Sequence, residues 1–353
     1  MTYDPFRRGP FPVGVRTAAA VRGDRALPTE IWYPATDAYA GQDVAEATRD
    51  AYELIPGFPP GWQEAVRDAV PRDGSYPLVA FSHGFGGHRR QTTFLCTHLA
   101  SHGYVVGAVD HTGNSILDVV QAVMMLQMGG APPDPASLLR EFIVHRPADV
   151  SFMIDGLLDG SIGEVAVMVD AARIGMSGHS FGGWTTLAVA ARDRRIRAAL
   201  PLAPAGGSSP LPVDPLKEAL DFDWGRDVPT LFIVADRDTL LPLAGMHELY
   251  EKTQGPKRMV VLRNADHMHF CDQVEQIHEM FRMMPPPGEF ERIAKLVPPI
   301  SELCPGEHAY QLVRALGLAH MDAALKGNES AAAFLAGDVA AFLAERGVSA
   351  TVV

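Results

Sequence analysis

The most informative segment of the sequence is Arg173-Ile174-Gly175-Met176-Ser177-Gly178-His179-Ser180-Phe181-Gly182-Gly183-Trp184. It begins as a short apolar run typical of a buried strand, places three glycines around one serine, and continues into a helical pattern over residues 184–191. The sequence here predicts a strand, a very tight turn and a helix.

Ser180 stands at the apex of this turn. Gly178 and Gly182, two residues before it and two after it, let neighbouring backbone approach without Cβ clashes. The turn also places Ser180 at a helix N-terminus, where backbone N–H groups favour a developing negative charge. G-x-S-x-G also occurs in plain turns, but between a strand and a helix it predicts that Ser180 is a nucleophile.

Acidic and histidine residues follow two later apolar runs. Asp236 and Asp238 come directly after the strand pattern at residues 229–235, and His267 and His269 come after the pattern at residues 258–262. Serine, acid and histidine thus occur in the chain order expected for this sheet topology. Spacing alone leaves both acids and both histidines open as partners of the serine.

A glycine-rich segment, Ser82-His83-Gly84-Phe85-Gly86-Gly87, follows the buried-strand pattern of residues 76–81. Glycines at the end of a central strand let a backbone N–H turn toward a ligand, as an oxyanion hole requires. An ordinary glycine turn is the alternative, and His83 is interpreted as a structural histidine. Six residues beside these motifs are candidates for substrate contacts: His83, Gly84, His111, His179, Trp184 and His269.

Composition limits the classes of function. The chain has 353 residues, of which 47% are hydrophobic, and a net charge of −12. This acidic balance argues against a nucleic-acid partner, and no apolar run approaches the about 20 residues of a membrane-spanning helix. None of the thirteen histidines forms an H-E-x-x-H pair, and neither a metal nor another cofactor is predicted.

The N-terminus Met1-Thr2-Tyr3-Asp4-Pro5-Phe6 lacks the basic and apolar regions of a signal peptide. A cytoplasmic protein is therefore expected, with secretion of a processed form left open. Three cysteines are too few for a disulfide framework, although one disulfide between Cys271 and Cys304 is left open. The oligomeric state is not predicted.

Aliphatic runs that alternate with helical patterns predict a single α/β domain over residues 1–353, with a mostly parallel central sheet flanked by helices. An antiparallel hairpin from residues 13–17 and 27–33 is expected at the sheet edge, and residues 258–262 form the last predicted strand. Helices are expected over residues 91–102 and 146–158.

Four excursions interrupt the alternation, at about residues 36–75, 114–144, 205–227 and 271–306. The first is expected to contain at most short helices. The second and the fourth are rich in methionine, whose side chain repacks around irregular ligands. A lid or pocket wall and an ordinary packed helix are both compatible with these two segments.

Together these stretches resemble the α/β-hydrolase superfamily, and within it the bacterial relatives of platelet-activating-factor acetylhydrolase and the proteins described as dienelactone-hydrolase-like. The resemblance rests on residues 27–34, 76–87, 100–111 and 174–184, and it spans the chain from about Leu27 to Phe270 apart from the excursions. It implies an α/β-hydrolase fold with lid-like insertions. True dienelactone hydrolases use a cysteine nucleophile, so Ser180 argues against that activity.

By position, the resemblance matches Ser180 to the family nucleophile and the backbone N–H groups of Phe85 and Phe181 to the oxyanion donors. It matches His267 to the family histidine, which usually sits directly after a short polar turn such as residues 264–266. The apolar neighbours of His269 indicate that the chain is becoming a helix there, where a histidine is more often a support.

The acid departs from the acetylhydrolase pattern. Those enzymes carry it after the strand that follows the nucleophile helix, and here that strand ends at Ala203-Pro204-Ala205 without a carboxylate. Polyester hydrolases and most of the superfamily place the acid one strand later, usually four residues before a proline. This pattern selects Asp238, which precedes Pro242 by four residues.

The implied function is hydrolysis of an apolar carboxylic ester, small or lipid-like, through an acyl-enzyme. Acetylhydrolases, lipases and polyester hydrolases share this chemistry. An acyltransferase or peptidase with the same three residues is an alternative. A non-catalytic ligand-binding protein of the hydrolase fold is another.

Overall fold

The computed structural model describes residues 3–353 except 56, 58–59, 131–133, 166–167 and 287. The chain divides into two compact units, an N-terminal unit (Arg8–Ile174) and a C-terminal unit (Gly175–Val353 with Met1–Arg7). Small parts of the first, second and fourth predicted excursions therefore lie outside the described residues. The single-domain assignment stays a prediction.

The N-terminal unit contains nine strands and three helices among its described residues. The strands are β1 (Val13–Ala18), β2 (Val21–Arg22), β3 (Arg25–Ala26), β4 (Thr29–Pro34), β5 (Asp50–Tyr52), β6 (Gly61–Gln63), β7 (Val66–Arg67), β8 (Tyr76–Ser82) and β9 (Val105–Val109). The helices are α1 (Thr93–Ser101), α2 (Ile116–Gln127) and α3 (Pro135–Asp159). The main strand order is β8-β9-β4-β1-β7, and β8 and β9 are parallel.

The predicted hairpin is present, since β1 and β4 pair antiparallel from Val13 opposite Pro34 to Ala18 opposite Thr29. Its expected place at the sheet edge is wrong, because β7 pairs with the outer side of β1. The first excursion supplies this extra strand and the β5–β6 pair, where only short helices were expected. Arg67 of β7 holds it in place by an ion pair with the buried Glu30 of β4 (3.0 Å).

Helix α3 begins eleven residues before the predicted helix start at residue 146. Asp134 caps its N-terminus by accepting a hydrogen bond from the Ser137 N–H (2.9 Å), and Pro135 occupies the first turn, where a missing N–H costs nothing. The apolar periodicity is strongest only after residue 146. The earlier turns therefore depend on the cap more than on burial.

The C-terminal unit contains α4 (Phe181–Arg192), β11 (Ile196–Leu202), α5 (Asp214–Glu218), β12 (Thr230–Ala235), α6 (Leu243–Lys252), β13 (Lys257–Leu262), α7 (Val274–Met283), α8 (Glu289–Ala294), α9 (Gly306–Lys326), α10 (Glu329–Ala336), α11 (Val339–Ala344) and β14 (Ala350–Val352). The strand β10 (Val169–His179) runs through the boundary between the units. The order in this unit is β14-β13-β12-β11-β10.

Strands β11, β12 and β13 are parallel. Because the carboxyl ends of parallel strands meet at one edge of a sheet, the segments that follow β12 and β13 lie side by side. The prediction that the chain's last strand ends at residue 262 is wrong, because β14 pairs antiparallel with β13. At three residues, β14 is too short to give a periodic pattern.

The structure thus has the predicted α/β class, with a large, mostly parallel sheet flanked by helices. No helix in the described part of the chain is both long and apolar enough to span a membrane.

Candidate active site

Ser180 lies in a sharp turn between β10 and α4. Its backbone has φ 59° and ψ −116°, a conformation that side-chain-bearing residues rarely adopt. Such strain costs of order 1–3 kcal/mol and persists only where the surroundings impose it. Here the Ser180 N–H donates to Leu202 O (2.9 Å) and the Ala205 N–H donates to Ser180 O (2.9 Å). The end of β11 therefore holds the strained serine from both sides.

Gly183 makes the close approach of α4 to the chain after β11 feasible. A Cβ atom at this position would lie 2.7 Å from the Cα atom of Pro204, a contact that real Cβ atoms do not make. Gly183 is therefore required by packing, and it permits the backbone hydrogen bonds that fix Ser180.

Asp238 and His267 are in direct contact. Nδ1–H of His267 donates to Oδ2 of Asp238 (2.7 Å), and the Asp238 side chain is only 1% exposed. The other carboxylate oxygen accepts hydrogen bonds from the N–H groups of Leu240 (3.0 Å) and Leu241 (2.7 Å). The bond at Nδ1 leaves Nε2 of His267 as the ring nitrogen that can accept a proton.

Electrostatics favour the charged form of this histidine. Burial alone lowers the pKa of His267, but the charge of Asp238, its hydrogen bond and the charge of Asp266 together raise that pKa above the ordinary value. An imidazolium formed at His267 is thus stabilised by two neighbouring carboxylates.

His269 is directed elsewhere. Its Nδ1 accepts a hydrogen bond from the Asp266 N–H (3.1 Å), and its Nε2–H donates to Cys304 O (2.9 Å). Burial lowers the pKa of His269, so the ring is neutral. Both ring nitrogens are used to fix the loop, as expected of a supporting histidine.

Asp236 also makes other contacts. One of its carboxylate oxygens accepts a hydrogen bond from the Ala265 N–H (3.3 Å), and the other lies 3.3 Å from Nε of Arg263. The two aspartates thus point to different partners, and the structure brings only Asp238 to His267.

His179 connects the serine turn to His267. Its Nε2–H donates to the carbonyl oxygen of His267 (3.1 Å), and the two ring centroids are 4.6 Å apart. Burial and the charge of His267 hold the pKa of His179 well below its usual range. His179 is neutral and buried, and it directly precedes Ser180. Its contacts therefore place His267 beside the serine turn.

Trp184 lies beneath the serine turn. Its side chain is fully buried, its Nε1–H donates to Leu216 O (2.9 Å), and its ring packs 5.5 Å from that of Phe181. The side chain is thus part of the core that supports the start of α4.

The remaining candidates lie in the N-terminal unit. Nδ1–H of His83 donates to Gly84 O (2.7 Å), and Nε2 of His83 accepts from the His111 N–H (3.0 Å). The Gly84 N–H donates to Oε1 of Gln91 (2.9 Å). Phe85 is 44% exposed, and its ring centroid lies 6.2 Å from that of Phe142.

His111 belongs to a buried polar network in the same unit. Its Nδ1–H donates to Asp149 (3.1 Å), and its Nε2 is 2.9 Å from the Ser82 hydroxyl. Burial, with the nearby charge of Arg146, lowers the pKa of His111 to about 4. His83 and His111 are therefore neutral supports of the loop that contains Gly84.

Arg146 supports the same loop and was not among the residues predicted from the sequence. Its fully buried guanidinium donates hydrogen bonds to His83 O, the Asn114 side chain and the Ser82 hydroxyl. Burial lowers the pKa of Arg146 to about 9. An arginine on the otherwise apolar face of a predicted helix was the available signal for such a buried support.

The three cysteines are free thiols, so the disulfide left open between Cys271 and Cys304 is not formed. Cys271 instead lies 3.6 Å from Nδ1 of His179, and burial raises the pKa of the Cys271 thiol. Among the described residues, no cluster of three or more His, Cys, Asp or Glu side chains has the arrangement of a metal site.

Two family models match separate parts of the chain. The model for platelet-activating factor acetylhydrolase, isoform II, matches residues 22–124, and the PET hydrolase-like model matches residues 153–283. The second match includes Ser180, Asp238 and His267.

Similar proteins include cutinase est1 of Thermobifida alba, 30% identical over 203 residues that cover 56% of this chain and 55% of that protein. The platelet-activating factor acetylhydrolase of Canis lupus familiaris is 24% identical over 242 residues, 61% of this chain and 51% of that protein. The chain spans about half the length of these curated relatives.

Among solved structures, a ferulic acid esterase from Streptomyces cinnamoneus is similar over 90% of this chain and 91% of that one, with a TM-score of 0.59 and 25% identity. The resemblance predicted from the sequence is thereby confirmed, and so is the predicted fold class.

The contacts of the two aspartates predict different effects of removing each charge. Asp238→Asn is expected to lower kcat by about 10³-fold or more, because the amide no longer stabilises the protonated imidazole or fixes its tautomer. Asp236→Asn is the matched control and should keep near wild-type kcat. Steady-state kinetics on a p-nitrophenyl ester measure both, and full activity of Asp238→Asn with loss in Asp236→Asn would reverse the assignment.

The raised pKa of His267 predicts the pH dependence of kcat/KM. The base must be neutral, so activity falls as pH drops through its pKa, and the acidic limb should lie above the ordinary histidine value of about 6.5. Initial rates on a neutral ester between pH 4 and 9 locate this limb. A limb at or below 6.5 would contradict the electrostatic account.

Proposed function

We propose that this chain, which has the α/β-hydrolase fold, is a serine-dependent carboxylic ester hydrolase that works through an acyl-enzyme. The observation that carries the proposal is the buried hydrogen bond from His267 to Asp238 (2.7 Å), with His267 linked through His179 to the strained turn of Ser180. The comparisons support it, since cutinases, an acetylhydrolase and a ferulic acid esterase all cleave esters.

In the proposed reaction, Oγ of Ser180 attacks the ester carbonyl carbon while Nε2 of His267 takes the hydroxyl proton. An unperturbed alcohol is a poor nucleophile at neutral pH, and the base removes this obstacle. The imidazolium that forms is stabilised by Asp238. It then gives the proton to the departing alcohol oxygen as the carbonyl reforms.

A water molecule repeats the sequence in deacylation. His267 takes one of its protons, the hydroxide oxygen attacks the acyl carbon, and the proton returns to Oγ of Ser180 as the carboxylic acid leaves. The oxyanion of each tetrahedral intermediate is assigned to backbone N–H groups. Phe181, at the first position of α4, is one proposed donor and Phe85 is the other.

We propose an apolar ester as substrate, because both methionine-rich segments expose apolar side chains. In the N-terminal unit, α2 has no fully buried side chain and carries neither lysine nor arginine, and Met128 just after it is 87% exposed. In the C-terminal unit, α7 packs on the segment His267–Phe270, where the ring of its buried His278 lies 6.4 Å from that of His269, while Met283 is 78% exposed. Contiguous exposed apolar surface commonly marks a site for an apolar ligand.

The cytoplasmic location and the absence of a nucleic-acid partner stay predictions from the sequence. No observation among the contacts above favours acyl transfer or peptide cleavage over ester hydrolysis. If this chain bound esters without hydrolysing them, the result would contradict the proposal and favour a ligand-binding role.

Ser180→Ala is expected to lower ester hydrolysis by about 10³-fold or more, because the covalent route is lost. Ser208→Ala, at an exposed serine, is the control and should keep wild-type turnover. Pre-steady-state release of p-nitrophenol should show a burst of one equivalent per Ser180-containing chain where deacylation is slow. Near wild-type turnover in folded Ser180→Ala would refute the nucleophile assignment.

Chain length of the acyl group should matter. If an apolar wall receives it, kcat/KM for p-nitrophenyl esters should rise by up to about fourfold per buried methylene until the pocket is filled, then level off. Esters from acetate to decanoate, with a succinate monoester as the charged comparison, measure this. Equal kcat/KM across the series, or a preference for the charged acyl group, would argue against an apolar pocket.

A further inference from the structure

Asp266 is a buried carboxylate that the proposed triad does not use. It directly precedes His267, is only 2% exposed, and caps the short helical segment His267–Phe270. A capping residue needs only one acceptor contact to its own segment. Asp266 makes a second contact to a distant segment, and this contact gives it a further role.

One oxygen of this carboxylate joins two loops. Oδ1 of Asp266 accepts the N–H of His267 (2.6 Å) and also the N–H of Thr239 (3.1 Å). Thr239 follows Asp238 directly, so the same oxygen holds the backbone beside the acid and the backbone of the base. The two main-chain hydrogen bonds to Asp266 thereby support the Asp238–His267 hydrogen bond.

Asp266 also brings a second negative charge to His267. Burial raises the pKa of Asp266, and so does the charge of Asp238. Both carboxylates in turn raise the pKa of His267. Other titratable groups face this cluster: His179 from β10, and His278 from α7, whose Nδ1 lies 3.9 Å from Oδ2 of Asp266.

Of these two neighbouring histidines, His179 is not a competing cation. Burial holds the pKa of His179 well below its usual range. Nε2–H of His278 donates to Pro298 O (2.8 Å), while its Nδ1 finds no hydrogen-bond partner among the described residues. Within the cluster, the negative charges of both Asp238 and Asp266 act on His267.

We propose that Asp266 is a positioning residue of the ester hydrolysis reaction. Through one carboxylate oxygen it keeps the acid loop and the histidine segment in register, and its charge stabilises the imidazolium of His267 together with that of Asp238. This inference rests on the proposed function, because it assigns Asp266 a part in the same proton transfer.

Two substitutions separate the contact from the charge. Asp266→Asn keeps an oxygen that can accept both N–H groups but removes the charge. Asp266→Ala removes the acceptor and the charge together. Asp236→Asn, a neutralised aspartate in the same pair of loops whose contacts are Arg263 and Ala265, is the matched control.

The experiment measures kcat and KM against pH for a neutral p-nitrophenyl ester, and titrates the His267 ring by NMR, with His267→Ala to assign its signal. In Asp266→Asn, the acidic limb and the NMR titration should both move to lower pH by on the order of half a unit or more, because a stabilising negative charge is gone. KM should change little. Asp266→Ala should show the same shift and a further fall in kcat of about tenfold or more, from lost alignment.

A purely structural cap would lower stability and kcat without moving the His267 titration. An unchanged titration in Asp266→Asn therefore overturns the proposal, as does an equal shift in the Asp236→Asn control. If Asp266→Ala does not fold, the Asn variant still decides. The NMR titration needs no turnover, so failure of this inference is distinct from failure of the proposed function, which Ser180→Ala tests.

Discussion

The buried carboxylate of Asp238 is the constraint on which the C-terminal unit depends. An ionised carboxylate that is 1% exposed must receive several hydrogen bonds, because it has lost its water. Two come from the turn at residues 240–241 and the third from His267. The third donor arrives only because β12 and β13 pair in parallel, from Thr230 opposite Lys257 to Ala235 opposite Leu262. A slip in this register would separate acid from base.

Local sequence patterns predicted the parts of the site that are local in the fold. A strand, a glycine-flanked serine and a helix occupy twelve consecutive residues, and the structure reproduces all three elements there. Asp236 and Asp238 could not be separated in this way, because both follow the same strand by one to three residues. Their different partners, Arg263 for one and His267 for the other, lie on the loop after the next strand.

Residues whose partners are distant along the chain were not predicted, for the same reason. The partners of Arg146 lie more than thirty residues earlier in the chain, and those of Asp266 include Thr239, 27 residues away. The hydrophobic periodicity of a sequence does not reveal such pairings. What the sequence does show is the anomaly itself, an arginine on an apolar helix face or a carboxylate next to a histidine. Such anomalies indicate buried polar contacts without naming the partner.

Helix α2 shows how an apolar segment stays helical although none of its side chains is fully buried. Its start is fixed by reciprocal bonds in which Ser115 and Asp118 cap each other, and the Ile116 N–H donates to Gly87 O (2.8 Å). These contacts stabilise the first turn, where isolated helices are weakest. None of the side chains of α2 is fully buried, and Leu117, Met124 and Met125 are each more than half exposed. The proposed apolar substrate would cover surface that folding leaves exposed. The bond to Gly87 connects α2 to the glycine-rich loop after β8.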